Sequence, residues 1–398
     1  MAASSGLEVA HIVGLYGEEF RRNHRLCRVQ LRALGAIEHC RTAVLGGHVY
    51  RCDQCGAEKI SYNSCRNRHC PKCQSLDKER WLEKRRDELL PVPYFHVVFT
   101  LPEELNTLAV GNPKEIYDLL FRCASETLLT IAADPKHLGA RLGILAVLHT
   151  WSQTLLLHPH LHCIVPGGGP SPDGKRWMAG AEEFLLPVRV LTRMFRGKFL
   201  AGLKEIYRKG RLHLSGAAET LGDPFLFQDW LDGLYRKVWM VYSKPPFGGP
   251  EQVLRYLARY THRVALSNRR LVRLDNDQVT FTYKDYKQGS QVREMTLSAE
   301  EFLRRFLLHI LPHRFVRIRH YGLFANRRRE RDLDLCRNLL GAEPAASRPS
   351  AREDWRSVLL RVTGQDPALC PECGQGHLHL LQNLAPLAEA ASAGRSPP

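Results

Sequence analysis

Two groups of side chains in this sequence have the types and spacing for phosphodiester chemistry. One is His158-Pro159-His160-Leu161-His162, inside the apolar run 155–165; the other is the pair Tyr256 and Tyr260. Together they suggest metal-assisted attack of a tyrosine on a DNA phosphodiester.

The run 155–165 is closed by Pro166-Gly167-Gly168-Gly169, and an apolar stretch bounded by turn formers reads as a buried strand. Alternate side chains of a strand share a face. His160 and His162 therefore project together, with α-carbons about 7 Å apart, while Leu161 turns into the core. Two imidazoles so spaced can meet one divalent ion. His158 shares the face but stands roughly 13 Å from His162, so it is expected to face substrate or support the ligands rather than join them. For a third ligand the sequence offers His149 and Gln153, on or beside the apolar segment 143–151, and Gln252.

Residues 251–261 have the pattern of a helix entered from the Pro- and Gly-rich linker 245–250. Tyr256 and Tyr260, four apart, stack on one face of it. An aromatic pair at that spacing is most often core. Here its company is Arg255, Arg259, Arg263, Arg269, Arg270, Arg273 and His262, with no acidic residue from 255 to 274. Such a segment is suited to hold a polyanion.

The amino-terminal region carries Cys52-x-x-Cys55 and Cys70-x-x-Cys73, separated by fourteen residues. That spacing predicts a zinc ribbon in which Cys52, Cys55, Cys70 and Cys73 converge on one structural Zn²⁺, a closed shell with no open position for catalysis. Cys40, His48, Cys65 and His69 are near enough in sequence to substitute or to form a second site. The zinc segment is expected to present the basic loop with Arg66 and Arg68, and the helix 78–86, to DNA. A further knuckle, Cys370-x-x-Cys373, is followed by His377 and His379 and makes half a site.

These features must be positioned by a chain of 398 residues, long enough for two or three domains. The formal charge of +16 and pI near 9.5 point to a polyanionic partner. The 12 cysteines cluster in knuckles, which suits metal ligands in a reducing cytosol rather than disulfides. No leader and no apolar run of the ~18 residues that a membrane span needs is apparent. The protein is expected to be cytoplasmic and associated with DNA, without a membrane or a small-molecule cofactor.

The order of patterns predicts an α+β fold, an antiparallel sheet flanked by helices behind an amino-terminal helical and zinc-ribbon domain. Helical periodicity covers 1–46, a charged helix runs to about 90, a strand spans 94–101 and an amphipathic helix 113–133. The strand pair 143–151 and 155–165 follows. Residues 170–245 look like a helical insertion, with helices over 187–209 and 223–240, and strands are expected over 264–274, 278–286 and 292–297. The expected divisions are 1–90 for DNA recognition, 91–325 for catalysis, and 326–398 for a basic segment, an Ala, Ser and Pro linker, the last knuckle and a tail.

Several of these stretches resemble the two-tyrosine HUH transposases of rolling-circle insertion sequences. The resemblance is carried by His-Pro-His-Leu-His-Cys-Ile-Val-Pro-Gly-Gly-Gly (158–169), Tyr-Leu-Ala-Arg-Tyr-Thr-His-Arg-Val-Ala (256–265) and Tyr-Phe-His-Val-Val-Phe-Thr-Leu-Pro (94–102), with further likeness at 63–74 and 314–324. It spans roughly residues 10–375. It implies an HUH endonuclease-like sheet, His160 and His162 as ligands of catalytic Mg²⁺ or Mn²⁺, Tyr256 and Tyr260 as nucleophiles, and a 5′-phosphotyrosine intermediate on single-stranded element ends. Three other readings fit part of the pattern. A replication initiator or relaxase would share the chemistry, a metal hydrolase gives the tyrosines nothing to do, and a zinc protein that only binds nucleic acid leaves the buried histidine pair unexplained.

Overall fold

The computed structural model describes residues 6–181, 185–247, 252–253, 264–343 and 354–387. It divides the chain into two compact units that do not follow the sequential divisions 1–90, 91–325 and 326–398. One unit gathers 1–83, 262–310 and 348–398; the other gathers 84–261 and 311–347.

The second unit is built on a five-stranded antiparallel sheet. Its strands are β3 (Tyr94–Thr100), β4 (Gly143–Trp151), β5 (Leu157–Pro166), β8 (Met240–Phe247) and β12 (Ile318–Gly322), in the order β12-β4-β5-β3-β8. One face is apolar: Phe95, Val97 and Phe99 of β3, Ile144, Ala146 and Leu148 of β4, and Leu161, Cys163 and Val165 of β5 belong to one buried core. That core is completed by Phe121, Ala124 and Leu128 of the helix Pro113–Ala133 and by Phe195, Phe199 and Leu203 of the helix Val188–Arg208. The register sets Cys163 beside both Val97 and Ala146, and Leu161 beside Phe99 and Leu148, so the apolar residues form continuous rows across three strands. By the period-two rule the alternate residues, including His96, His149, His160 and His162, point to the opposite face. A short hairpin β6 (Gly168–Pro170) and β7 (Trp177–Ala179) leaves the end of β5.

The predicted helices of the insertion appear as Val188–Arg208 and Pro224–Arg236. The insertion does not stay helical to 240. Its last part returns as β8 and pairs with β3, because Val241 is buried beside Phe99 there. Only the neighbouring strand makes that segment extended.

In the first unit the helices Val9–Asn23 and Arg28–Glu38 precede β1 (Gly47–Cys52) and β2 (Glu58–Tyr62). A strand from the far end of the chain, β13 (Leu378–Leu384), joins this hairpin in the order β13-β1-β2. A second small sheet has the order β11-β10-β9, from β9 (Leu271–Asp275), β10 (Gln278–Asp285) and β11 (Gln291–Ser298), followed by the helix Ala299–Leu307. The strand expected over 264–274 begins only at Leu271, since Asn268–Arg270 forms a 3-10 turn. Two arginines of the predicted basic track are engaged within this sheet. The Arg270 Nε donates to the Thr282 carbonyl at 2.7 Å, and Arg273 meets Glu294 at 3.4 Å.

Candidate active site and zinc centres

On the face of the sheet opposite the core three imidazoles converge, His149 and His162 buried and His160 half-buried. His149 of β4 lies directly opposite His160 of β5, and His162 is the next outward residue on the same strand. Ligand nitrogens of His149, His160 and His162 all lie within 4.8 Å of one another. Ring centroids are 5.5 Å apart for His149 and His160, 4.5 Å for His149 and His162, and 4.8 Å for His160 and His162. The turn between the strands holds this pairing: the Ser152 N–H donates to the Leu156 carbonyl, and Ser152 Oγ accepts the N–H groups of Thr154 and Leu156. His149 also stacks on Trp151, with ring planes 19° apart. Of the three residues the sequence offered as a third ligand, His149 is gathered with the pair, Gln153 lies in the turn and Gln252 is exposed.

The surroundings decide which nitrogen each ring can offer. His160 Nδ1 lies 2.6 Å from the His158 carbonyl oxygen, which can only accept, so Nδ1 carries the proton and Nε2 the lone pair. His158 thus bonds His160 through its backbone carbonyl and is outside the cluster. His162 Nδ1 lies 2.8 Å from Nε2 of His96 on the adjacent strand, and the two rings stack 10° from parallel. Burial, with Lys244 and His160 adding to it, pushes His96 down to about 3, so His96 is neutral near pH 7. In the tautomer with its proton on Nδ1, the neutral His96 ring would accept at Nε2 from His162 Nδ1–H and leave His162 Nε2 to carry the lone pair. No role for His96 follows from its sequence context. The available signal was a histidine at an outward position of an otherwise apolar strand.

The cysteines form two groups of four, not the single ribbon predicted. Cys40, Cys65, Cys70 and Cys73 make one; Cys52, Cys55, Cys370 and Cys373 make the other. Each Cys-x-x-Cys turn supplies two ligands, and spacing alone does not say which pair completes it. In the fold Cys70 and Cys73 meet Cys65 of their own loop and Cys40 at the end of the second helix. The Cys40 and Cys73 sulfurs are 3.3 Å apart and those of Cys65 and Cys73 are 3.6 Å apart. Thiolates around one zinc at ~2.3 Å stand roughly 3.8 Å apart, so this donor set fits the ion. The cluster anchors both ends of the loop that carries exposed Arg66 and half-buried Arg68. His48 is bonded to Asn383 at 2.8 Å, and neither His48 nor His69 is in either group.

Comparison with known proteins gives two family matches that contain the histidines and most of the clustered cysteines. Residues 143–331 match the family model described as "Putative transposase", and residues 12–101 match the model of a transposase zinc-binding domain. A protein named "Putative transposase y4qJ" from Sinorhizobium fredii is 53% identical over 378 residues, spanning 94% of this chain and 95% of its own. The chain belongs to the insertion-sequence transposase family. A second relative of this transposase, the transposase for insertion sequence element IS801 of Pseudomonas savastanoi, is 28% identical over 315 residues, covering 75% of this chain and 71% of its own. No solved structure matches. In this transposase the three clustered histidines fall within the first match and six cysteines of the two groups within the second, while Cys370 and Cys373 lie outside both. Tyr256, Tyr260, Arg255, Arg259 and Arg263 lie outside the described residues. No helix among the described residues is long and apolar enough to cross a membrane.

Proposed function

We propose that this transposase nicks and rejoins single DNA strands through Tyr256 and Tyr260, beside a divalent ion held by His149, His160 and His162. The observation that supports this most is the gathering of three imidazoles on the sheet face opposite the core, their ligand nitrogens all within 4.8 Å of one another. An all-imidazole set suits Mn²⁺ better than Mg²⁺, which prefers oxygen donors. When bound, the ion would polarise a phosphoryl oxygen and offset charge in the transition state.

A tyrosine oxygen attacks phosphorus in line, the bond to the 3′-oxygen breaks, and the phenolic proton is passed on as the 3′-OH forms. The product is a 5′-phosphotyrosine. Its phosphodiester is as rich in energy as the one consumed, so the reverse step joins strands without a nucleotide cofactor. A phenol with pKa near 10 is a poor nucleophile at pH 7. The run of Arg255, Arg259 and Arg263 around the tyrosines favours the phenolate and holds the phosphates.

The test uses purified protein, end-labelled single-stranded DNA from the termini of its own element, and Mn²⁺ or Mg²⁺, resolved on a denaturing gel. A metal-dependent protein adduct on the 5′-phosphate side is expected. It should vanish in the Tyr256→Phe with Tyr260→Phe double variant and in His160→Ala with His162→Ala. Cleavage that leaves no protein attached would point to hydrolysis instead, and binding without cleavage would leave only DNA recognition.

A further inference from the structure

The carboxyl-terminal segment 354–387 has little core of its own. In its helix Trp355–Thr363 only Val358 is buried, and in β13 only Leu378. Yet it is folded against the amino-terminal hairpin, β13 pairing with β1 from Gly47 opposite Leu384 to Cys52 opposite Leu378. So small an apolar area does not hold a segment whose ends are so distant in sequence from its partner. Something else must close it.

At the end of that pairing two knuckles face each other. Cys52 and Cys55 occupy the turn from β1 to β2, and Cys370 and Cys373 the turn before β13. They are built alike. The Gly56 N–H donates to the Cys52 carbonyl at 3.2 Å and the Gly374 N–H to the Cys370 carbonyl at 2.9 Å. Both glycines have left-handed φ, +74° and +68°, a conformation that a side chain would strain. Backbone N–H groups point at sulfur in each turn, Gln54 to Cys52 at 3.4 Å and Gly376 to Cys373 at 3.3 Å. Across the seam the Cys52 and Cys373 sulfurs are 3.8 Å apart, as are those of Cys55 and Cys370. That is about the edge of a tetrahedron with ~2.3 Å zinc–sulfur arms. A β-carbon at Gly376 would run into Cys52 Sγ, so glycine there allows the backbone to close over the cluster. His377 and His379, which follow the knuckle, are outside this group; the His377 backbone N–H donates to the Asp53 carboxylate at 2.8 Å and His379 Nε2 lies 3.4 Å from it.

We infer that Cys52, Cys55, Cys370 and Cys373 bind a second structural Zn²⁺ that staples the carboxyl-terminal segment to the amino-terminal hairpin. The zinc module is then a composite, and half of this site comes from beyond the matched zinc-binding domain. Its ligands are 315 and 321 residues apart in sequence, so a staple here removes a very long loop's freedom from the unfolded chain.

Zinc per chain should be two in the purified full-length protein, measured by mass spectrometry of the metal. Cys370→Ser with Cys373→Ser should lower it to one, as should Cys65→Ser with Cys70→Ser, and Cys373→His, which keeps a ligand, should retain two. Amide exchange supplies a second reading: Cys52→Ser with Cys55→Ser should strip protection from 378–384, more than three hundred residues away, and Cys65→Ser with Cys70→Ser should not. One zinc in the unaltered protein, or two in the Cys370 and Cys373 double variant, would overturn the assignment. So would unchanged protection of β13 after loss of Cys52 and Cys55.

Discussion

His162 Nδ1 meets His96, and the ring lies among His149 and His160. In the proposed site His96 would be a positioning residue, acting on an ion only through His162. Removing such a partner from a metal ligand typically costs 10- to 100-fold in affinity. His96→Phe should therefore weaken Mn²⁺ binding by about that factor, read by electron paramagnetic resonance titration, with little change in the circular dichroism spectrum. His96→Gln should recover part of the loss, because its amide oxygen can accept from Nδ1–H. Equal affinity in all three proteins would mean that His96 only packs. The His160 and His162 pair was legible in sequence from period-two spacing alone. The place of His149 beside them was not, because it depends on the register that sets His149 opposite His160.

At the scale of the strand, β5 carries the core on one face and the histidines on the other, and the two faces should answer differently to truncation. Leu161 is fully buried beside Phe99 and Leu148. Leu161→Ala is expected to cost about 2–5 kcal/mol in urea unfolding. His160→Ala, at a half-buried position opposite the core, should cost about 1 kcal/mol while abolishing the DNA adduct. A stability loss as large as that of Leu161→Ala would mean that His160 is structural. The alternation of β3, β4 and β5 was readable because each strand is long and its core residues alternate cleanly. Two edge elements were not. The helix read over 223–240 stops at Arg236 and is followed by β8, a strand that was not read, and 264–270 carries a 3-10 turn where an extended pattern was read, since tertiary pairing outweighs local propensity in short segments.

Over the whole molecule the charge of +16 sets how it meets DNA. Binding should weaken steeply with salt as counterions released from phosphates are paid back. Arg66, exposed on the loop tied by Cys65 and Cys70, is expected to contact phosphate. Arg66→Ala with Arg68→Ala should reduce the slope of log K against log salt by about one per lost contact, and weaken all sequences alike. A slope unchanged in that variant, measured by fluorescence anisotropy between 50 and 200 mM salt, would place the DNA-binding surface elsewhere. The division of the chain into units is also a whole-molecule property. Residues 262–310 and 348–398 join the amino-terminal unit rather than forming later domains of their own.

The sequence by itself determined the chemistry available: two histidines on one strand face, paired tyrosines among arginines, cysteine knuckles and a basic balance. These are local facts, set by residue type and by the fixed periods of strand and helix. Tertiary structure alone decided the partnerships. It set His149 and His96 beside the histidine pair, and it split the predicted Cys52, Cys55, Cys70 and Cys73 ribbon between two clusters, one completed from the other end of the chain. A knuckle specifies two ligands and a direction, but which other knuckle it meets depends on strand pairing across hundreds of residues, and no local pattern encodes that.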